Sequence, residues 1–207
     1  MLKAVGKYKI IRPLGRGGMG HVFEAVEPRT ENHVALKLLI EAKETTVEQQ
    51  EQARRMRDEA RATSKINHPS LIKILDSGED DEFGPYIVYE LLSGKTLRNE
   101  LDERKKLPPL ELLKRVVRPV LEGLCVLHAA GVVHRDIKPE NLFQGADGTY
   151  ILGDLGLARF EGREAKTKTG LIVGTPAYIS PEQLLNPDVP ATSSADLYSF
   201  GLVVVEC

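Results

Sequence analysis

A cluster of reactive side chains occupies residues 134–141, which read H-R-D-I-K-P-E-N. Asp136 could accept the proton of an attacking hydroxyl group, and Lys138 could neutralise a phosphoryl group. Asn141 in this cluster and Asp154 further along the chain offer hard oxygen ligands, which suit Mg²⁺. Phosphoryl transfer needs such groups, because it depends on in-line positioning and charge neutralisation more than on covalent chemistry. The cluster therefore predicts phosphoryl transfer from a nucleotide.

His134 beside Asp136 also allows a hydrolase pair or a metal site. Such sites are usually accompanied by a G-x-S-x-G elbow or an H-E-x-x-H helix, and this sequence contains neither string. The phosphoryl-transfer interpretation is therefore favoured.

A glycine cluster, G-R-G-G-M-G at residues 15–20, lies between two β-prone runs. Glycine lets backbone N–H groups approach phosphate oxygens. The same spacing occurs in dinucleotide-binding folds and in ordinary hairpins, but a dinucleotide fingerprint should open a helix. Here residues 22–26 continue as a strand, which favours a loop folded over the phosphates of a nucleotide.

The run V-A-L-K at residues 34–37 places Lys37 on the next predicted strand. A strand lysine is ordinarily solvated, but its position after the glycine cluster indicates contact with phosphates. Such a lysine needs a carboxylate partner. Glu59 on the following helix is our choice, and Asp58, about 100° away around that helix, is the alternative.

Composition limits the class of protein. The chain has 207 residues, a formal net charge of −2 and 42% hydrophobic residues, which is typical of a soluble globular protein and gives no attraction to nucleic acid. No apolar run reaches the roughly 20 residues of a membrane span, and the first residues contain no signal-peptide core. We expect a reducing, cytoplasmic setting. Of the two cysteines, we expect Cys125 to be a small core residue.

The pattern of apolar residues predicts a β-rich first half. Strands are predicted at residues 10–11, 22–26, 34–39, 71–75 and 86–89, with an acidic turn at 79–82. One long exposed helix is predicted over residues 44–65, which contain neither proline nor glycine.

The second half is mainly helical in prediction. Helices are expected over residues 97–104, 110–130 and 196–207, with short strands at 142–143 and 150–152. Pro119 should kink the second helix or alter its first-turn geometry. That helix carries an apolar stripe at i, i+3, i+4 spacing, formed by Leu113, Val116, Val117, Val120, Leu121, Leu124 and Leu127.

These motifs together resemble the catalytic domain of protein kinases. The strings G-R-G-G-M-G, H-R-D-I-K-P-E-N and T-P-A-Y-I-S-P-E-Q are most similar to bacterial eukaryotic-type (Hanks-type) serine/threonine kinases. The resemblance implies an α+β, two-lobed fold, with an N-lobe over residues 8–92 and part of a C-lobe over residues 93–207.

The resemblance also implies the roles of individual residues. Asp136, Lys138 and Thr175 would be catalytic, and Asn141 and Asp154 would bind Mg²⁺, with Mn²⁺ as an alternative. Residues 154–156, D-L-G, stand where the family has D-F-G. The residues expected to bind ATP are Leu14, Gly15, Gly17, Gly20, Val22, Ala35, Lys37, Glu59, Glu90 and Leu92.

Regulation by phosphorylation of the activation loop is implied too. Arg135 would meet a phosphorylated residue, for which Thr167 and Thr169 are the candidates. His134 would be structural rather than the base, and Asp196 would brace the backbone of the catalytic loop.

The expected partners are ATP and proteins that present serine or threonine. We expect a C-terminally truncated catalytic domain. Two copies could associate through the exposed apolar last helix, or in order that one copy phosphorylates the other. Two alternatives stay open at this point: a catalytically silent nucleotide-binding or scaffold module, and a small-molecule phosphotransferase of the same fold.

Overall fold

The computed structural model describes residues 3–17, 20–39, 47–154, 176–186 and 190–207. An antiparallel sheet and a set of helices make up these residues, which confirms the α+β fold class. The chain forms two compact units, Met1–Lys65 with Lys73–Leu91 and Ile66–Ile72 with Leu92–Cys207. The predicted division at residues 92 and 93 stays a prediction, and the early segment Ile66–Ile72 groups with the later part of the chain.

The described part of the first unit consists of one sheet and one helix. The sheet has six strands in the order β1-β2-β3-β4-β6-β5. The strands are β1 (Ala4–Val5), β2 (Tyr8–Gly17), β3 (Gly20–Val26), β4 (His33–Leu38), β5 (Ile74–Asp80) and β6 (Gly84–Glu90), and the helix is α1 (Val47–Thr63).

One face of this sheet forms an apolar core. Alternate residues of a strand point to opposite faces, so Leu36 of β4 and its partner Val88 of β6 share a face, and both are fully buried. The other buried members of this core are Val5, Tyr8, Ala25, Val34, Leu38 and Tyr86.

Helix α1 packs against β5 and β6. Its buried side chains, Ala53, Met56 and Ala60, recur at helical spacing and form one narrow stripe. The prediction of a helix in residues 44–65 is confirmed for Val47–Thr63. Residues 44–46 lie outside the described residues.

The second unit is mainly helical where it is described. Its helices are α2 (Leu97–Arg104), α3 (Pro109–Leu112), α4 (Arg118–Ala129), α5 (Pro181–Leu185) and α6 (Ser193–Glu206). Strands β7 (Leu142–Gln144) and β8 (Tyr150–Leu152) form a hairpin, and short 3₁₀ turns occupy Pro139–Asn141 and Pro176–Tyr178. Both short strands and the bounds of α2 confirm their predictions.

Pro119 changes the geometry of the helix in which it lies. The predicted helix over residues 110–130 is α3 and α4 joined by a π-helical turn at Leu113–Val117. The N–H of Arg118 bonds to the carbonyl of Leu113, five residues back. Proline has no N–H and its ring clashes with the carbonyl four residues earlier, and the wider π turn relieves both problems.

The apolar run at residues 71–75 does not form one strand, so that prediction is wrong. Leu71 makes an isolated parallel bridge with Leu152 in the second unit, whereas β5 of the first unit begins at Ile74. The acidic turn is also shorter than predicted, because β5 continues through Asp80.

The stripe on the long helix is only partly buried. Leu113 and Leu121 are exposed, and so is Cys125, which contradicts the prediction of a core cysteine. Leu124 and Leu127, on the same helix, are buried. Whether an apolar residue is buried here therefore depends on its position around the helix and not on its residue type alone.

Candidate active site

One face of the first unit's sheet carries side chains predicted to hold a nucleotide. Val22 of β3 lies opposite Lys37 of β4, and Lys37 lies opposite Ile87 of β6. Opposed residues share a face, and so do residues two apart on one strand. Ala35 therefore lies on this face with its partner Tyr89. The sheet register thus brings Val22, Ala35 and Lys37 together, on the face opposite to the apolar core.

The side chain of Lys37 is withdrawn from solvent, since the residue is only 8% exposed. A buried ammonium group requires a charged or hydrogen-bonding partner. Of the two predicted carboxylates, Asp58 already accepts hydrogen bonds from Arg57, at 2.8 and 3.0 Å. This engagement favours Glu59, and the pairing of Lys37 with Glu59 stays a prediction.

The described glycines of the cluster lie at one end of the β2–β3 pair, where Gly17 pairs with Gly20. Gly20 has φ +129°, and a Cβ atom there would lie 1.8 Å from the carbonyl oxygen of Leu38. Gly15 has no atom within 4 Å of such a Cβ. Gly20 is therefore required by the packing of β3 on β4, whereas a side chain at Gly15 would meet no obstruction.

Three further predicted contacts lie near the ends of strands. The N–H of Glu90 already donates to the carbonyl of Lys73 at 3.0 Å. A backbone contact from Glu90 to a base would therefore use its carbonyl group. Leu14, on β2, is exposed, and Leu92 is half-buried at the start of the second unit.

The predicted catalytic loop, in the second unit, is tied to α6 by one carboxylate. Asp196 accepts hydrogen bonds from the backbone N–H groups of His134, at 2.7 Å, and Arg135, at 2.8 Å. A third bond joins Asp196 to His128 Nε2 at 2.8 Å. Arg135 has φ +70°, a left-handed conformation that disfavours residues other than glycine. The bracing contact predicted for Asp196 is observed, and it holds the loop in this conformation.

Asp136 lies at the centre of a small polar network. Lys138 Nζ donates to both carboxylate oxygens of Asp136, at 2.8 and 3.0 Å, and Asn141 Nδ2 donates to Oδ2 at 2.9 Å. Burial by itself raises the pKa of Asp136, but the Lys138 ammonium and these hydrogen bonds outweigh it, so the pKa lies below its usual value. The carboxylate is therefore ionised at neutral pH, which its predicted role as a proton acceptor requires.

His134 is a buried structural residue, as predicted. It is 1% exposed, and its Nε2 lies 3.0 Å from the carbonyl oxygen of Gly153. Burial lowers the pKa of His134, against the opposing charges of Asp196 and Asp136. The ring is therefore neutral at neutral pH, and its contacts lie within the protein.

The β7–β8 hairpin brings the two predicted metal ligands to the same end. Leu142 pairs with Leu152, and the N–H of Gly153 donates to the carbonyl of Asn141 at 2.8 Å. Asn141 accepts this hydrogen bond and Asp154 directly follows its donor, so both residues lie at the same end of the hairpin. A Cβ on Gly153 would lie 2.6 Å from the ring of Phe143, so only glycine fits this close approach.

This pair fits a hard divalent cation. Asn141 uses its amide nitrogen to bond Asp136, at both the carbonyl and Oδ2, which leaves the amide oxygen for a metal. In the described part of the chain no three His, Cys, Asp or Glu residues gather as a metal site. One amide and one carboxylate suit Mg²⁺, which keeps several waters and is completed by phosphate oxygens.

Some predicted residues cannot be placed. Leu155, Gly156, Thr167, Thr169 and Thr175 lie outside the described residues. Their predicted roles in the D-L-G motif, in regulation and in catalysis stay predictions.

One charged cluster beside the catalytic loop was missed by sequence reasoning. Arg98 on α2 contacts Glu140 of the Pro139–Asn141 turn, Tyr178 and Glu206. These residues lie far apart in sequence and belong to no motif with a shared spacing. The sequence contained no signal for their meeting.

The predicted motifs thus lie on the sheet of the first unit and around one loop of the second, and the chain can be compared with known protein families. The family model described as "Protein kinase domain" matches residues 8–207. The chain belongs to the protein kinase family. Its kinase domain is 40% identical over 201 residues to "Serine/threonine-protein kinase PknL" of Mycobacterium tuberculosis, covering 97% of this chain and 48% of that protein.

Other relatives of the kinase domain are bacterial as well. "Serine/threonine-protein kinase PknA" of Mycobacterium tuberculosis is 37% identical, covering 97% of this chain and 46% of the relative. "Probable serine/threonine-protein kinase pknA2" of Bifidobacterium longum is 36% identical, covering 97% of this chain and 26% of the relative. The chain thus spans about half or less of the length of these relatives. The predicted resemblance to bacterial Hanks-type kinases is confirmed.

In the ranges that the structure describes, none of the helices combines the length and the apolar character that a bilayer span requires.

Proposed function

We propose that this kinase domain transfers the γ-phosphate of Mg·ATP to serine and threonine hydroxyl groups of proteins. The observation that carries the proposal is the Asp136–Lys138–Asn141 network, which is held by hydrogen bonds of 2.8 to 3.0 Å next to a braced backbone. The relatives named as serine/threonine-protein kinases support the substrate class.

Each side chain of the network then has one task. Asp136 accepts the proton of the attacking hydroxyl, and its depressed pKa keeps it ionised for that role. Lys138 holds the carboxylate in position and lies beside it as the cation for the transferred phosphoryl group. Asn141 and Asp154 would hold Mg²⁺, which neutralises charge on the phosphate oxygens.

The first unit supplies the residues proposed for the nucleotide. Val22 and Ala35 would contact the base, and Lys37 with Glu59 would orient the phosphates. Glu90 would accept from the base through its carbonyl, with Leu92, Leu14 and the glycine cluster completing the set. Their common sheet face supports Val22, Ala35 and Lys37 in these roles.

We further propose regulation by autophosphorylation of the activation loop. The Nε atom of Arg135 is buried and has no hydrogen-bond partner among the described residues. A phosphate carries about −1.5 to −2 charge and pairs well with arginine. A phosphothreonine at position 167 or 169 would satisfy this guanidinium, and Thr175 would help to select the substrate hydroxyl.

The full-length gene product tests these proposals directly. Incubation with Mg·ATP and a generic protein substrate is expected to yield phosphoserine or phosphothreonine, and mass spectrometry is expected to find phosphate on Thr167, Thr169 or Thr175. Asp136→Asn should abolish both signals. Asp147→Asn, in an exposed turn, is the matched control and should retain them. Equal signals from wild type and Asp136→Asn would overturn the proposal in favour of a silent nucleotide-binding module.

A further inference from the structure

Helix α1 carries two arginines that bind the same carboxylate of the sheet. The Nε atom of Arg54 donates to Glu79 Oε1 at 3.0 Å, and its Nη2 lies 2.9 Å from the same oxygen. Arg57 Nη1 donates to the other oxygen, Oε2, at 2.5 Å. Residues three apart lie on one side of a helix. Both oxygens of Glu79 are therefore held by the same side of α1.

The sheet places Glu79 on the face that also carries Lys37. On β5, Ser77 pairs with Ile87 of β6, and Ile87 lies opposite Lys37 of β4. Opposed residues share a face, and so do residues two apart on one strand. Glu79, two residues after Ser77, therefore lies on the face of Lys37. This face presents α1 with a carboxylate on β5 and an ammonium group on β4.

Helix α1 can thus be attached to the sheet at two points. One is the observed contact of Arg54 and Arg57 with Glu79, and the other is the predicted pair of Glu59 with Lys37. Only β6 separates β4 from β5, so the two points are about 10 Å apart across the sheet. A helix held at one point can rotate about it, whereas a second point at this distance restricts the rotation.

Apolar packing restricts α1 only weakly. Its buried apolar side chains among the described residues are Ala53, Met56 and Ala60. Two of the three are alanines, and the stabilisation from burial scales with apolar area. The position of α1 therefore depends strongly on its charged contacts.

Glu79 is the acceptor that connects these arginines to the sheet. Arg57 also donates to Asp58, at 2.8 and 3.0 Å, but a bond within one helix cannot attach that helix to another element. A hydrogen bond from Arg54 is the largest influence that lowers the pKa of Glu79, and Arg57 adds to it against the effect of burial. The carboxylate is therefore ionised at neutral pH, as these ion pairs require.

We propose that Glu79 is a positioning residue for phosphoryl transfer. Through its two arginines it holds α1 in the place where Glu59 faces Lys37. This inference rests on the proposed function and on the predicted pairing of these two residues. Without Glu79, α1 turns away from the sheet more often, and Lys37 then lacks the carboxylate that orients it towards the phosphates.

Glu79→Gln tests this role in the full-length gene product, because it removes the charge and keeps the size of the side chain. With Mg·ATP and a generic protein substrate, kcat/KM for ATP is expected to fall about fivefold, which corresponds to about 1 kcal/mol. Glu82→Gln is the matched control and should keep the wild-type value. Glu82 lies in the turn of the same hairpin, and its exposed side chain forms no ion pair with the described residues. Equal values for wild type and Glu79→Gln would overturn the inference.

Salt dependence separates this role from a merely structural one. The side chains of Arg54 and Glu79 are 56% and 36% exposed, so salt should screen their attraction. The ratio of kcat/KM between wild type and Glu79→Gln should fall from about five at low ionic strength to about one in molar salt. Taking the ratio cancels the effect of salt on ATP binding itself. A ratio that does not depend on salt would contradict the inference.

A double-mutant cycle tests whether Glu79 acts through Glu59. In the Glu59→Gln background the pair with Lys37 is already lost, so Glu79→Gln should lower kcat/KM no further. A fivefold loss in both backgrounds would show that Glu79 acts by another route, and the inference would be wrong.

Acylation of Lys37 provides a readout that needs no catalysis. Lys37 is 8% exposed, so an amine-reactive acyl reagent should label it slowly compared with the exposed Lys105. Glu79→Gln is expected to raise the labelling rate of Lys37 about fivefold by mass spectrometry, and Glu82→Gln should not change it. An unchanged rate in Glu79→Gln would show that Glu79 does not hold α1.

Failure of the proposed function gives a different result. If wild type phosphorylates no substrate and equals Asp136→Asn, the proposed function fails, and the labelling rates of Lys37 still decide whether Glu79 holds the helix. Thermal unfolding checks the fold of each variant. If Glu79→Gln is unfolded, Arg54→Gln, which removes one of the two cations, replaces it in every measurement.

Discussion

The Asp196 carboxylate accepts the backbone N–H of Arg135 at 2.8 Å across a sequence separation of 61 residues. Arg135 sits there in a left-handed conformation with φ +70°. Such a conformation costs about 1–3 kcal/mol for a residue other than glycine and persists only where the surroundings enforce it. Asp196 supplies that enforcement through a second bond to His134 as well.

Asp196→Ala is therefore expected to destabilise the second unit. Two backbone N–H groups would lose their acceptor in a buried site, at a cost of about 2–4 kcal/mol in unfolding free energy. Denaturant titration measures this loss. Asp147→Ala is the control, because Asp147 accepts its bonds in an exposed turn and should cost below about 1 kcal/mol. Equal losses in the two variants would show that the brace contributes nothing.

The pKa of Asp136 should rise when its cation is removed. Burial favours the protonated acid, and the Lys138 ammonium is the largest influence in the opposite direction. Lys138→Met is therefore expected to shift the Asp136 titration to higher pH. Carbon NMR of the labelled carboxyl group measures the shift, with Asp136→Asn to assign the resonance. An unchanged or lower pKa in Lys138→Met would contradict the ion pair.

Two glycines of the same cluster should differ in their tolerance of alanine. A Cβ at Gly20 would lie 1.8 Å from the Leu38 carbonyl oxygen and would force β3 away from β4. We expect Gly20→Ala to lower the unfolding free energy by about 2 kcal/mol or more. Gly15→Ala meets no neighbouring atom and should stay within about 1 kcal/mol of wild type. Thermal unfolding of both variants checks the order, and the reverse order would refute the packing argument.

Glu100 should make part of the stability depend on pH. Burial raises its pKa, but hydrogen bonds from Arg115, Tyr150 and Arg104 outweigh this and lower the pKa to about 2. Because the folded pKa lies below the unfolded one, this stabilisation is present above about pH 4.5 and is lost as pH falls towards 2. After allowance for solvent screening it amounts to about 1–2 kcal/mol.

Glu100→Gln tests that dependence. The difference in unfolding free energy between wild type and Glu100→Gln should be largest near pH 6 and should shrink by pH 3. Glu122→Gln is the control, because Glu122 forms an exposed pair with Arg118. If the difference in unfolding free energy between wild type and Glu100→Gln does not change with pH, the charge of Glu100 does not stabilise the fold.

Local sequence predicted the elements that depend on local signals. Helix α2 begins after its Thr96 capping box, and strands β7 and β8 carry β-prone residues bounded by a turn. The motif residues Asp136 and Asn141 were likewise identified by spacing, and the structure brings them into contact.

The failures have a common physical origin in contacts between distant segments. The apolar type of Cys125 predicted burial, but burial depended on which face of α4 meets the rest of the unit. The run around Leu71 predicted one strand, but its pairing partner, Leu152, comes late in the chain. The position of Arg98 among three partners depends on three such meetings. The residues that adjoin each of these positions in the sequence contain no information on such long-range contacts.

The segment Ile66–Ile72 has a consequence for the order in which this chain assembles. Ile72 donates to the Leu152 carbonyl at 2.9 Å, and Leu152 donates to Ser70 at 2.8 Å. During synthesis this segment leaves the ribosome well before β8, so the second unit cannot close until the chain returns to it. A gene cut between residues 92 and 93 would release a later fragment in which Leu152 has lost its backbone hydrogen bonds to Ser70 and Ile72. A chimaera that exchanges the second unit must therefore carry Ile66–Ile72 with it.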